Sequence, residues 1–186
     1  MAKKMYLIDD HRKTLRVFEI LTEIALAAAL GLFVARVFFF SYQTESRSME
    51  PTVSPNSYVF VNKLAYSFTK VERFDVVTFK RSEGSTDSLL TRRVIGLPNE
   101  TVKIEKGIVY IDGKVTEISE YFSEITSDGI AREGIRLKEN EYFVLGDMPA
   151  NSEDSRSSTI GVVRFSKIIG KAWLNAKSLT ELSIIR

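Results

Sequence analysis

The sequence predicts a mainly β protein, a partly closed antiparallel domain attached to one N-terminal transmembrane helix. Three observations predict it. Apolar residues crowd between Ile20 and Tyr42 instead of spreading evenly along the 186-residue chain. After Tyr42 the pattern changes to short β-branched and aromatic runs separated by turn residues, and helical periodicity fades. The length beyond that point, Gln43 to Arg186, is enough to bury one hydrophobic core.

Residues 1–19 come first, with Lys3, Lys4, Arg12, Lys13 and Arg16 set against Asp9 and Asp10. No charge falls between Ile24 and Ala35, and Arg36 interrupts near one end, where a long side chain can snorkel to the headgroups. A span over residues 20–42 follows, with Phe38, Phe39, Phe40 and Tyr42 as an interfacial aromatic belt. Lysine and arginine ahead of the run place the N-terminus in the cytoplasm and residues 43–186 outside the cell. A removed signal peptide would end in small residues, and "RVFFFSYQTE" is bulky. Glu19 and Glu23 make the first turns amphipathic, which leaves a helix lying in the interface as an alternative.

The outer part reads as strands in "YVFVNK", "FDVVTFK", "LLTRRVIG", "ETVKIEKGIVYIDGK" and "EYFVLGD", with two more around Ser166 to Ile168. Gly107 and the Asp112-Gly113 pair mark hairpin turns. Residues 112–137 are polar and turn-rich and are expected to form a cap or insertion on the sheet.

Composition removes several chemistries. There is no cysteine, so disulfides, thiolate metal sites and cysteine nucleophiles are excluded. The single histidine, His11, precedes the apolar run and is out of reach of a Ser-His-Asp triad in the outer part. A net charge of +2 leaves no nucleic-acid footprint, and nothing calls for a metal or an organic cofactor. A serine nucleophile would then need another base, and a lysine serves when burial lowers its pKa. Alone, Ser48 in "SRSMEPTV" reads as a turn or cap residue.

Four stretches follow the apolar run in order: "SMEPT" (Ser48 to Thr52), "ERFDVVTFK" (Glu72 to Lys80), "RRVIGLPNE" (Arg92 to Glu100) and "GDMPANSEDSR" (Gly146 to Arg156). Together they resemble the characteristic boxes of type I signal peptidases, in particular the short single-span Gram-positive kind, from Arg16 to the C-terminus. The resemblance implies a signal peptidase I-type β domain whose hydrophobic rim meets the bilayer and which cuts exported precursors after small residues. It implies Ser48 as nucleophile, Ser46 and Ser48 at the oxyanion hole, and Ser152, Asp154, Arg156 and Asp147 as supports of the site. Met49, Leu90 and Thr91 would line the substrate groove, where an extended peptide pairs with the strand. For Ser46 an exposed polar residue, and for Asp154 and Arg156 a pair of surface charges, are the plain readings.

Against that pattern, Arg92 stands where the resemblance implies the base lysine. Guanidinium cannot give up its proton in a protein, so burial cannot make it a base. Lys63 and Lys80 are expected to be ordinary strand-end charges. Asn99-Glu100 and Met148-Pro149 also depart from the family boxes, and Phe74 replaces the glycine common before Asp75. Two readings follow. In one, a dyad-altered member engages signal peptides or precursors of exported, pilin-type proteins in pilus assembly, with cleavage weak or lost. In the other, it is an active serine endopeptidase using Ser48 and an unorthodox base.

Overall fold

The structure, a computed structural model, describes residues 2–83, 86–118, 121–178 and 180–185. It separates into two compact units, Met1–Phe38 and Phe39–Arg186.

The first unit is one helix, α1 (Ala2–Phe38). Its alanines and leucines are strong helix formers. Leu15–Val34 has a mean hydropathy of 2.1 over 20 residues and none of it is buried within the protein. At the rise of an α-helix, such a stretch covers about 30 Å, the thickness of a bilayer core. By length and composition, α1 can cross a membrane.

The helix stops four residues before the expected end of the span. Phe39–Thr44 is a strand, β1, paired antiparallel with β2 (Ser57–Asn62) from Phe39↔Asn62 to Thr44↔Ser57. The reason lies in its alternation: Phe40, Tyr42 and Thr44 turn inward while Phe39, Ser41 and Gln43 face out. Phe40 and Tyr42 are therefore partners of the β core, packing with Met49, Val53, Val59 and Val61.

A short helix α2 (Ala65–Phe68) leads to β3 (Val76–Glu83) and β4 (Thr86–Gly96), then β5 (Thr101–Glu105), β6 (Ile108–Ile111) and β7 (Lys114–Val115). The remaining strands are β8 (Ile135–Arg136), β9 (Glu141–Leu145), β10 (Val163–Arg164), β11 (Ile168–Ala176) and β12 (Leu182–Ile184). The larger sheet runs β1-β2-β11-β3-β4-β9-β10, with β12 added to β11, and the smaller runs β7-β6-β5-β8. Every pairing is antiparallel.

The smaller sheet begins earlier than the cap expected at residues 112–137. It takes in the hairpin of β5 and β6, whose turn at Lys106 and Gly107 has φ of 52° and 78°. Asp112 and Gly113 make the second such turn, at 49° and 79°, which only residues tolerant of left-handed backbone adopt readily. β9 is buried along its whole length. Its Val144 joins Val77, Phe79 and Val94 in one core, while Phe143 and Leu145 join Ile95, Val102 and Ile104 in another. β9 thereby ties the two sheets together.

One feature of the larger sheet prepares the site. β4 pairs with β3 from Thr86 to Arg93, but β9 meets it only at Arg93, Val94 and Gly96. Among the described residues, Thr86 to Arg92 carry no strand on that second side.

Candidate active site

The loop after β1 brings Ser46 and Ser48 to this open stretch. Ser48 is 1% exposed, and its neighbour Met49 is buried in the core rather than presented outward. The Ser46 hydroxyl accepts the Ser48 N–H at 3.2 Å and donates to Ser48 Oγ at 2.9 Å. Ser46, Ser48, Met49, Leu90, Thr91 and Arg92 are among the residues lining one pocket of about 20 Å³. That is room for a group of water size.

Arg92 is 3% exposed and belongs to this lining. Its donors turn to main-chain oxygens. Nε and Nη2 reach the Glu153 carbonyl at 2.9 and 2.7 Å, and Nη1 reaches the Thr91 carbonyl at 2.6 Å. Burial lowers its pKa, whereas Asp154, Tyr42 and Glu153 favour the charged form. A guanidinium with three such hydrogen bonds to two carbonyls stays a cation. Among the described residues, no lysine lines the pocket; Lys80 is exposed, and Lys63, also exposed, sits 5.6 Å from the Phe40 ring centre.

Around the last box the supports converge. Asp154 accepts the Gly146 N–H at 3.1 Å and pairs with Arg156 through Nε at 3.0 Å and Nη2 at 2.9 Å, both residues being buried. Arg156 also donates to the Pro149 carbonyl at 2.7 Å. These are the core of the loop, not surface charges. Gly146 is required by space: a Cβ there would lie 2.2 Å from Ser152 Oγ and 2.6 Å from the Ser48 carbonyl oxygen. Ser152 thus sits beside the Ser48 backbone, and its buried hydroxyl has no partner among the described residues.

Asp147 binds Arg93, through Nε at 2.9 Å and Nη2 at 2.6 Å, with both side chains fully buried. Thr52 donates to the same carboxylate at 2.5 Å, and the Arg93 guanidinium lies 4.3 Å from the Tyr121 ring centre. Arg93 also donates to the Phe74 carbonyl at 3.0 Å. Reading the sequence alone missed Arg93, which also donates to Thr52 Oγ1 at 3.2 Å and so knits all four boxes together. It missed Tyr42 as well, whose hydroxyl lies 2.5 Å from Thr91 Oγ1, itself 2.7 Å from Thr78 Oγ1. The signal for Arg93 was its place beside Arg92 in a box whose neighbours are apolar. Among the described residues, no group of three or more His, Cys, Asp or Glu side chains is arranged to hold a metal.

Residues 17–176 match the family described as signal peptidase, peptidase S26. The chain belongs to this family. Signal peptidase I V of Bacillus subtilis (strain 168) is 32% identical over 158 residues, which cover 78% of this chain and 90% of that protein. Signal peptidase I of Bacillus amyloliquefaciens is 32% identical, over 79% of this chain and 78% of its own. A crystal structure of a signal peptidase I from Enterococcus faecalis V583 is 29% identical, with a TM-score of 0.44, covering 55% of this chain and 97% of that one. Within this signal peptidase family member, the four boxes named from sequence meet around Ser48, Arg93 and Gly146.

Proposed function

We propose that this protein is a membrane-anchored member of the signal peptidase family that engages signal peptides or exported precursors while cleaving them weakly or not at all. The observation that carries the reading is the state of Arg92: a buried guanidinium with its donors on the Glu153 and Thr91 carbonyls, in a pocket lined by no lysine. Ser48 has a donor in Ser46, and among the described residues that line the pocket there is no lysine or histidine to take its proton. Extended precursors would add a strand to β4 along Thr86 to Arg92, the side without a partner.

α1 anchors the chain with its N-terminus in the cytoplasm and the β domain outside, by the charge ahead of the span. Exposed Phe39 and Trp173, with ring centres 6.1 Å apart, give the β domain an aromatic corner suited to the bilayer interface. A client that must be held uncut until it is joined to a polymer suits such a site, and pilus assembly with pilin-type precursors is the role we assign.

The second reading, an active signal peptidase, draws support from the Ser46–Ser48 hydroxyl pair and from relatives named signal peptidases. One assay separates them. Detergent-solubilised protein is incubated with a precursor bearing small residues before its cut site. Co-isolation of the uncut precursor is the expected result; processing that vanishes in Ser48→Ala would establish the active enzyme instead.

A further inference from the structure

Two strands of the larger sheet each send an arginine to one loop residue. From β4, Arg92 gives Nε and Nη2 to the main-chain carbonyl of Glu153, at 2.9 and 2.7 Å. From β3, Arg81 gives Nη1 and Nη2 to the Glu153 carboxylate, at 2.7 and 3.0 Å. Thr159 donates to that carboxylate at 2.6 Å. Glu153 is therefore gripped at its backbone and at its side chain, from opposite ends of the same residue. Its sequence neighbours stand behind the Ser48 loop: Ser152 lies beside Gly146 and the Ser48 backbone, and Asp154 holds Gly146 and Arg156.

We propose that Arg81, Glu153 and Arg92 form a clamp that fixes the Ser152–Asp154 loop as a rigid wall behind the Ser48 backbone, making Arg92 and Glu153 positioning residues for an incoming extended peptide. The proposal rests on the reading of the open side of β4 as the peptide's docking strand. Arginine is the side chain this geometry requires. Its planar fork puts two donors on one carbonyl while a third reaches Thr91, and a lysine offers a single nitrogen that cannot span them. The Ser152 hydroxyl does not hold the loop, since it is buried without a partner among the described residues. A wall fixed in advance spares the peptide the cost of ordering it, so the benefit falls on affinity. Global stability gains little, because the Glu153 carboxylate is 43% exposed and such pairs are worth little in water.

The test uses the full chain in detergent micelles and a fluorescent probe peptide made of an apolar stretch followed by a small-residue cleavage motif. Wild type, Arg92→Lys, Glu153→Ala and the double variant are compared for peptide affinity, hydrogen exchange of the 152–155 amides and melting temperature. Each single variant is expected to weaken the peptide about fivefold and to speed loop exchange about tenfold, with melting unchanged in Glu153→Ala and lowered in Arg92→Lys, which leaves buried carbonyls short of donors. Glu153→Ala leaves the carbonyl that Arg92 holds, so the two variants remove separate grips and the double variant is expected to lose more than either single one. Glu105→Ala, which removes the exposed Lys103–Glu105 pair on β5, should change none of these. Loop exchange unchanged in either single variant, or in the double, would overturn the clamp. Should the wild type bind no peptide, the functional reading falls, and loop exchange alone then decides for or against the clamp.

Discussion

In the proposed reading, arginine at position 92 sets how far Ser48 can react, because a hydroxyl attacks a carbonyl only if something removes its proton. Burial works on lysine and arginine in the same direction, yet from starting points that leave only lysine neutral near physiological pH. Arg92 feels that burial and is countered by Asp154, Tyr42 and Glu153. Arg92→Lys is therefore expected to gain Ser48-dependent processing, by about 10²–10⁴ over the wild type, even as its peptide affinity drops. The sign of its pH dependence follows from the neutral amine being the acceptor. Processing is present above the lysine's pKa and is lost as pH falls through it, while the wild type shows no such limb; a pH–rate profile of both checks this.

Arg93 makes a different kind of claim on the fold. Arg93→Met strands the Asp147 carboxylate in a fully buried position and should cost about 3–5 kcal/mol, read by denaturant unfolding. Residues such as Ser48, Asp154 and Arg156 were legible because box order and spacing carry them. Arg93 was not, since its burial depends on Asp147 arriving from 54 positions away, and adjacent arginines in a strand ordinarily suggest one solvated face. Phe74 was legible only as a departure. It holds φ of 72° without being glycine, and its ring stacks on Tyr121 at 4.9 Å between centres.

Among the elements, β4 has two unequal halves. The half from Arg93 to Gly96 is enclosed by β3-side and β9 contacts, while the half before it keeps one side open beside the Ser48 loop. Gly146 lets the turn after β9 approach that loop, with the Met148 N–H bonding the Ser48 carbonyl at 2.9 Å. Gly146→Ala should push Ser152 and the Ser48 backbone apart and abolish peptide capture while the chain still folds, measured by pull-down of the probe beside circular dichroism. Hairpins were legible from Gly107 and Asp112-Gly113, where local turn chemistry decides the conformation. The partition into two sheets was not, because β5 joins β8 across more than thirty residues and no local signal marks such a partner. Phe39 to Tyr42 were assigned to the span because their apolar character continues that of α1. Only pairing with β2 shows that the period there is two.

At the scale of the molecule, the proposed reading divides the labour: an exposed apolar helix would anchor, and a β domain with its own three clusters would bind. The proposed orientation predicts that protease added outside intact cells digests the β domain and spares an N-terminal tag, seen by immunoblot; a digested tag and protected domain would reverse it. The mainly β class and family membership were legible in the sequence, since both rest on runs and boxes that survive without contacts. What the site can do depends on which oxygens the Arg92 donors find, and only the folded chain arranges those. The most direct measurement is the acylation rate of Ser48 by a serine-directed probe, followed by intact-protein mass spectrometry on wild type and Ser48→Ala. The account predicts that the two label at the same background rate. Labelling of the wild type well above Ser48→Ala would contradict it, for it would mean that Ser48 has found a proton acceptor with arginine at position 92.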